Sequence, residues 1–118
     1  MADAGRIALR LRIRRGDAIA MGPGKAALLE AIDAHGSISA AARSIGMSYR
    51  RAWLLVEEMN SCFAASLVET RPGAGAMLSD AARTVLAAYR AAEVAAEEAA
   101  VRVLGPVVAG LKPRGVGR

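Results

Sequence analysis

Apolar and polar residues alternate near the start of the chain and recur at helical spacing further on. In residues 6–15, RIALRLRIRR, isoleucines and leucines occupy one set of alternate positions and arginines the other. A period of two is typical of a strand with one buried face. Gly16-Asp17 then predicts a tight turn into a second strand, Ala18 to Met21. The arginine face has two interpretations: it contacts an anionic ligand, or it is the solvated side of a sheet with a charge-protected edge.

A first helix is predicted after this pair of strands. Gly22-Pro23 ends the second strand and opens the helix, because proline suits the first helical position. Leu28, Leu29 and Ile32 recur at helical spacing, so we expect them to bury one face. Gly36 ends the helix as the residue best able to adopt a left-handed cap.

A short helix, a glycine turn and a longer helix are predicted in residues 37–63. Ser37 or Ser39 can cap the short helix, and Gly46 breaks it. Ser48 can cap the longer helix, which is expected to run to about residue 63. This order is typical of a helix-turn-helix. The stripe expected to be buried on the longer helix consists of Ala52, Val56, Met59 and Phe63.

The exposed side of the longer helix begins with Tyr49, Arg50 and Arg51. Two arginines are slightly unfavourable there, because the first turn of a helix already carries partial positive charge. A polyanionic neighbour would explain them, since the second helix of a helix-turn-helix enters the major groove with its N-terminal residues foremost. The arginines would then contact phosphates or guanine edges. The pattern favours DNA binding, and an ordinary helical hairpin with a solvated arginine pair is the alternative.

The residues that follow predict a wing and a long helix. Leu67 to Thr70 is a strand candidate, RPGAGA a turn, and Met77-Leu78 a short return strand. Such a hairpin directly after the second helix is typical of a wing, with Arg71 at its base or tip. Ser79 can then cap a long helix from Asp80 to about Leu104.

The long helix carries an alanine-rich seam. At about 1.5 Å per residue the helix would be about 38 Å long, too long to be covered by so small a domain. We therefore predict packing on a second copy of the chain, with packing in cis on the N-terminal strands as the alternative. The seam consists of Val85, Leu86, Tyr89, Ala92, Ala96, Val103 and Leu104.

These elements predict a mainly α fold with a small β component: a winged helix-turn-helix with a long C-terminal dimerisation helix. Residues 1–104 are expected to form this DNA-binding domain, with the dimerisation helix at about 79–104. Residues 105–118 contain glycines and prolines and are expected to be a flexible tail.

Composition agrees with a nucleic-acid partner. The chain has 118 residues, enough for one domain, with a net charge of +5 and a pI near 10.3. Such a balance favours a polyanion, either nucleic acid or an anionic membrane surface. No signal peptide or membrane span is expected, so the chain is predicted to be cytoplasmic. With one histidine and one cysteine, Cys62, no catalytic pair, metal site or cofactor is expected, and the chain is predicted not to be an enzyme.

Residues 22–60 resemble the N-terminal winged-helix domain of the ModE-type molybdate-responsive regulators. The resemblance rests on GSIS, AAR, GMSY and AW at their spacings, and with LVET and the long helix it extends over about residues 6–104. A looser helix-turn-helix of this kind occurs in LysR-type regulators. The resemblance implies a homodimeric, sequence-specific transcription regulator that binds double-stranded DNA at an inverted repeat.

The resemblance also assigns roles to residues. The positions that match its DNA-facing motif are Ser39, Ser48, Tyr49, Arg50 and Arg51, and Arg71 lies in the expected wing. Ala42, Gly46 and Trp53 match packing positions, and Trp53 is expected in the core or an interface.

Two departures qualify the resemblance. The RPGAGA loop is shorter than the glycine-rich wing loop that the family often carries. Longer members continue into molybdate-binding domains, and from the 14 residues after 104 we expect no such domain here. Molybdate sensing is therefore expected through another protein, at the dimer interface, or not at all.

Two rival functions remain open at this point. One is a molybdate- or oxyanion-binding protein that uses the arginine face of residues 6–14. The other is a protein-interaction module whose functional surface is the long helix.

Overall fold

The computed structural model describes residues 5–113. They form a mainly helical chain with two small antiparallel sheets and a long C-terminal helix, which confirms the coarse fold class. The elements in chain order are β1 (Ile13–Arg15), β2 (Ala18–Met21), α1 (Pro23–His35), α2 (Ile38–Ser44), α3 (Tyr49–Cys62), β3 (Val68–Arg71), β4 (Gly75–Leu78) and α4 (Asp80–Ala109).

The chain divides into two compact units. Of the described residues, one unit contains residues 10–89, and the other contains residues 5–9 together with residues 90–113. The apolar core of the first unit combines buried side chains from α1, α2, α3, the β3–β4 hairpin and the start of α4. Its largest fully buried side chains are Met21, Leu28, Leu29, Ile32, Met59 and Leu67.

Helix α1 has the termini that its sequence predicts. Pro23 occupies the start of the helix, where its missing N–H would have no helical partner in any case. Gly36 ends it with φ of 76° and donates its N–H to the carbonyl of Ile32 at 2.8 Å. Leu28, Leu29 and Ile32 have no exposed surface, which confirms the predicted buried face.

Helices α2 and α3 are each capped by a serine. The Ser37 hydroxyl accepts the N–H of Ala40 at 3.0 Å, so Ser37 and not Ser39 is the cap of α2. Between the helices, Gly46 has φ of 68°, a conformation that disfavours residues with a side chain. The turn is closed by the N–H of Met47, which donates to the carbonyl of Ala42 at 2.9 Å. A serine cap, a left-handed glycine and a second serine cap therefore set the boundaries of both helices.

Helix α3 buries most of the predicted stripe. Ala52, Val56 and Met59 lie in the core, and Phe63 is half-buried at the C-cap. Trp53, predicted in the core or an interface, is not in the core, because 37% of its surface is exposed in the single chain. Leu54 is 52% exposed, as expected for the side of the helix away from the stripe.

The β3–β4 hairpin pairs Val68 with Leu78 and Arg71 with Gly75. Its turn is closed by the N–H of Ala74, which donates to the carbonyl of Arg71 at 2.9 Å. The return strand begins at Gly75, two residues earlier than predicted, because backbone pairing continues up to the turn. Val68, Ala76 and Leu78 face the core.

The predicted N-terminal strand over residues 6–15 is wrong except for its last three residues. Only Ile13–Arg15 pairs with β2, and residues 5–12 have no regular secondary structure. Leu9 and Ile13, expected on a buried face, are 45% and 44% exposed. The physical reason is the short partner: β2 has four residues, so it cannot cover an alternating segment of ten.

Helix α4 runs further than predicted, to Ala109 instead of about Leu104. It continues through Gly105 and Pro106, the pair that was expected to stop it. Proline normally disfavours a helical conformation in the preceding residue by contact with its Cβ, and Gly105 has none. Of the predicted flexible tail, residues 105–109 are therefore helical, and residues 114–118 lie outside the described part of the chain.

Candidate nucleic-acid interface

The N-terminus of α3 presents an exposed cationic tip. The Ser48 hydroxyl accepts the N–H of Arg51 at 3.1 Å and so fixes the first turn. No acidic residue lies in that turn, so the partial positive charge of the helix end adds to that of the arginines. Arg50 and Arg51 are exposed, and neither forms an ion pair with any residue between 5 and 113. Tyr49 is 57% exposed beside them.

Three of the six predicted site residues line one open cavity. Ser39 from the first turn of α2, Tyr49 from the first turn of α3 and Arg71 from the end of β3 meet there. Its volume is about 300 Å³. The other lining residues are Ser37, Ile38, Thr70, Gly73, Gly75 and Ala76. Two helix starts and the hairpin therefore contribute to one continuous concave surface, called here the hairpin cavity.

The remaining predicted residues are placed differently. Ser48 and Arg50 do not line the hairpin cavity, although they neighbour Tyr49 in the chain. Arg51 lines a separate cavity, together with residues of the N-terminal segment and the start of α1. The six predicted residues thus do not all line one cavity: residues at the start of α3 line two separate cavities.

Thr70 is a candidate contact residue that sequence reasoning missed. It is exposed, lines the hairpin cavity and pairs with Ala76 across the hairpin. Its hydroxyl can donate to a phosphate oxygen or accept from a base amino group. The LVET motif, which places Thr70 next to Arg71, was the signal that could have identified it.

Asn60 attaches the hairpin to α3, and it too was missed. Its side-chain oxygen accepts the N–H groups of Leu67 at 2.8 Å and Val68 at 3.1 Å. Its amide group donates to the carbonyl of Val68 at 3.1 Å. This one side chain therefore positions the start of β3 against the helix whose other end carries the arginines. No local pattern predicts such a bridge, because asparagine is common in any exposed helix or turn.

Lys25 makes a second connection that the sequence did not reveal. Its ammonium group lies 2.7 Å from a carboxylate oxygen of Glu58. The Lys25 side chain is 7% exposed and that of Glu58 is 39% exposed, so the contact is a partly desolvated ion pair. It links the start of α1 to α3 and thereby contributes to the orientation of α3.

Two absences hold for the described residues. Among helices of residues 5–113, none combines the length and apolar character that a membrane span requires. Over the same residues, histidine, cysteine, aspartate and glutamate side chains form no group of three or more that could hold a metal ion.

Comparisons with known proteins point to molybdenum proteins. No protein-family model matches the chain. It is 45% identical over 95 residues to the molybdenum-pterin-binding protein MopB of Rhodobacter capsulatus, covering 77% of this chain and 35% of the relative. It is 37% identical over 83 residues to MopA of the same organism, covering 67% and 31%. It is also 39% identical over 80 residues to the molybdenum transport protein ModE of Azotobacter vinelandii, covering 64% and 30%.

The chain spans about a third of the length of these curated relatives. The matches support the resemblance to ModE-type proteins that the GSIS, GMSY and AW motifs indicate. The homologues of this chain are thus molybdenum-pterin-binding proteins and ModE-type molybdenum transport proteins.

Proposed function

We propose that this chain is a sequence-specific DNA-binding transcription regulator that acts as a homodimer. In this proposal residues 10–89 are a winged helix-turn-helix, with α3 as recognition helix and the β3–β4 hairpin as wing. The observation that carries it is the convergence of Ser39, Tyr49 and Arg71 on the hairpin cavity beside the exposed arginine tip of α3.

The proposed mechanism follows from the charge and shape of that surface. The start of α3 enters the major groove, where Arg50 reaches a guanine edge or a phosphate. Tyr49 and Ser39 donate hydroxyl hydrogen bonds to the backbone at one side of the helix. Arg71, on the β3–β4 hairpin, contacts a phosphate further along the same DNA strand. Phosphate contacts position the protein, and contacts to base edges provide the sequence preference.

Dimerisation would supply the symmetry that an inverted repeat needs. The C-terminal half of α4 leaves large apolar side chains exposed in the single chain, among them Val103 at 68% and Val107 at 63%. Burying these on a second copy would remove apolar surface from water and place two recognition helices in successive major grooves, about 34 Å apart. We propose the later part of α4, with Val103 and Leu104 of the predicted seam, as the dimerisation surface. The earlier part of that seam packs within the single chain, where Tyr89 is buried and Val85 and Leu86 lie against the core.

The molybdenum relatives suggest the signal that such a regulator would serve. The relatives' names concern molybdenum binding and transport, and the aligned segment is about a third of each. We propose that the chain acts at promoters of genes for molybdate uptake or use, and that it acts by binding and not by catalysis.

The deciding experiment is selection of genomic fragments by purified protein at physiological salt. It should be repeated with molybdate at about 1 mM, a concentration that saturates any micromolar site. Recovery of an inverted repeat near molybdenum genes supports the proposal, and a molybdate-dependent change in the selected set shows sensing. Weak binding that is blind to sequence and steeply dependent on salt would reject the regulator assignment.

A further inference from the structure

A second, smaller cavity lies where residues 10–12, the start of α1 and the start of α3 meet. Its volume is about 190 Å³. This is several times the volume of about 30 Å³ that a water molecule occupies in the liquid, so a small ion fits with some of its hydration. The lining residues are Arg10, Arg12, Ile19, Gly22, Pro23, Gly24, Lys25, Arg51 and Leu55. We call this the cationic cavity, because four of its nine lining residues are arginine or lysine.

The positive charge of the cationic cavity is largely uncompensated. Lys25 is paired with Glu58 at 2.7 Å, but Glu58 is not among the lining residues. Arg10, Arg12 and Arg51 form no ion pair with any residue between 5 and 113. Three exposed arginines line this one small space. Their like charges repel one another, and a bound anion would relieve that repulsion.

The backbone of α1 adds to this field without occupying the space. Helix α1 has no side-chain cap at Gly22 and no acidic residue in its first turn, so the partial positive charge of its end is uncompensated. A Cβ atom on Gly22 would lie 3.5 Å from Cγ of Arg12, which places the stem of Arg12 against the helix start. A Cβ atom on Gly24 would meet no atom within 4 Å. Gly24 thus leaves open space at this wall of the cavity, whereas the space beside Gly22 is occupied by Arg12 and Ile19.

Two apolar side chains in the lining lower the polarity of the cationic cavity. Ile19 and Leu55, both half-buried, line the cavity beside the cations. Apolar walls reduce the effective dielectric and so strengthen the attraction between an arginine and an anion. Each guanidinium presents its donors in a planar fork that matches two oxygens of a phosphate or of another oxyanion.

We propose that the cationic cavity binds a tetrahedral oxyanion. That chemistry has two sources: a phosphate group of the DNA backbone, or a free inorganic oxyanion such as phosphate or molybdate. The first source rests on the proposed function, and the second does not. The N-terminal arginines then have different roles. Arg10 and Arg12 hold the ligand, whereas Arg14 and Arg15 do not line the cavity.

The first test uses free anions and the full chain. Amide shifts of Gly22, Gly24 and Lys25 are followed by nuclear magnetic resonance during titration with sodium phosphate and then sodium molybdate, with chloride holding ionic strength constant. We expect saturable shifts confined to the cavity amides. Arg10→Gln with Arg12→Gln should weaken binding about tenfold or more, since two charge-assisted contacts are lost.

The matched control is Arg14→Gln with Arg15→Gln, which removes the same charge from the same segment. Affinity for the anion should change less than about twofold in this control, because only long-range attraction is reduced. Equal weakening by both pairs would show a diffuse charge effect and count against a free-ion site. If a variant fails to fold, the titration of the wild-type chain still decides. Amide shifts that rise linearly with anion concentration and spread over all arginine-rich segments would show that no saturable site exists.

The second test uses DNA. The slope of log affinity against log salt is measured with a selected operator for both pairs of variants. If a backbone phosphate occupies the cavity, the Arg10 and Arg12 pair should lower the slope by about one unit, and the control pair by clearly less. A changed slope without saturable anion binding assigns the cavity to DNA, and saturable anion binding with an unchanged slope assigns it to a free oxyanion.

The two proposals fail separately. Operator binding with unchanged slopes and no saturable anion shifts would overturn the cationic cavity as a site while leaving the regulator intact. Saturable anion binding by a chain that selects no operator would keep the cavity and reject the regulator. No saturable anion binding and no slope difference between the pairs rejects the oxyanion site under either source.

Discussion

Gly75 lies against the backbone of Gly36, so closely that a Cβ atom on Gly75 would overlap the Gly36 carbonyl oxygen. The same oxygen accepts the N–H of Ala76 at 2.9 Å. Gly36, the C-cap of α1, therefore contacts strand β4 of the hairpin. This contact helps to fix the position of Arg71, which pairs with Gly75. The contact between Gly36 and the hairpin thus shapes the surface proposed to bind DNA.

Gly75→Ala should destabilise the first unit more than Gly73→Ala does. Both glycines have positive φ, 78° and 73°, so each alanine carries a backbone cost of about 1–2 kcal/mol. Only Gly75 has a neighbour in the way, since a Cβ atom on Gly73 meets nothing within 4 Å. Urea unfolding followed by circular dichroism measures the difference. Equal free energies of unfolding for the two variants would contradict the close approach to Gly36.

Asn60→Ala should lower the free energy of unfolding by about 1–3 kcal/mol, because the amides of Leu67 and Val68 lose their acceptor in a buried position. Asn60→Asp keeps both acceptor interactions and loses only the donor to the Val68 carbonyl, so its loss should be smaller. Hydrogen exchange at these two amides should accelerate in the alanine variant more than in the aspartate variant. The reverse order would mean that the donor interaction holds the hairpin.

Glu58→Gln should destabilise the chain more than Lys25→Met. Removing the carboxylate leaves an ammonium group buried without its charge partner, whereas removing Lys25 leaves a carboxylate that is 39% exposed and can be solvated. We expect a difference of about 1 kcal/mol or more in the free energy of unfolding. A double-mutant cycle measures the coupling, and a coupling near zero would show that the pair contributes nothing to stability.

Arg50→Ala and Arg71→Ala should affect DNA binding in different ways. If Arg50 contacts a guanine through two hydrogen bonds, its loss should weaken operator binding by about 1–3 kcal/mol and relax the base preference at one position. Arg71 is proposed to contact a phosphate of the DNA backbone. Its loss should therefore weaken binding to all DNA sequences alike and reduce the slope of log affinity against log salt by about one unit. Fluorescence anisotropy with the operator and single-base variants, at several salt concentrations, distinguishes these outcomes. Arg14→Ala, which lines neither cavity, is the control for general loss of charge.

Val103→Glu should convert a dimer into a monomer while leaving helical content unchanged. Val103 is 68% exposed in the single chain, so a glutamate there disturbs no internal packing but would place a charge in the proposed interface. Ala91→Glu provides the control, because Ala91 is exposed on α4 and lies outside the predicted seam. Sedimentation equilibrium measures the mass of each variant. A dimer that survives Val103→Glu would place the interface elsewhere.

The candidate site was only partly predictable. The sequence pointed to the tip of α3 because serine caps, helical stripes and an uncompensated arginine pair are local signals. The cationic cavity could not be predicted, since it joins residues 10 and 12 to the start of α1 and to Arg51 through the folding of the chain. For the same reason Lys25 and Asn60 were missed: each acts on a partner in another element.

By itself, the sequence determined the start of α1, the Ser48 cap, the Gly46 turn and most of the buried stripe of α3, and it limited the cap of α2 to Ser37 or Ser39. These depend on hydrogen bonds and steric limits within a few residues, which local composition specifies. Only the tertiary structure decided that residues 5–12 lack a partner strand, that α4 continues past Pro106, and which cavity each arginine lines. Those outcomes depend on which surfaces meet after folding, and an alternating pattern or a glycine-proline pair cannot specify the length or position of a neighbour that lies elsewhere in the chain.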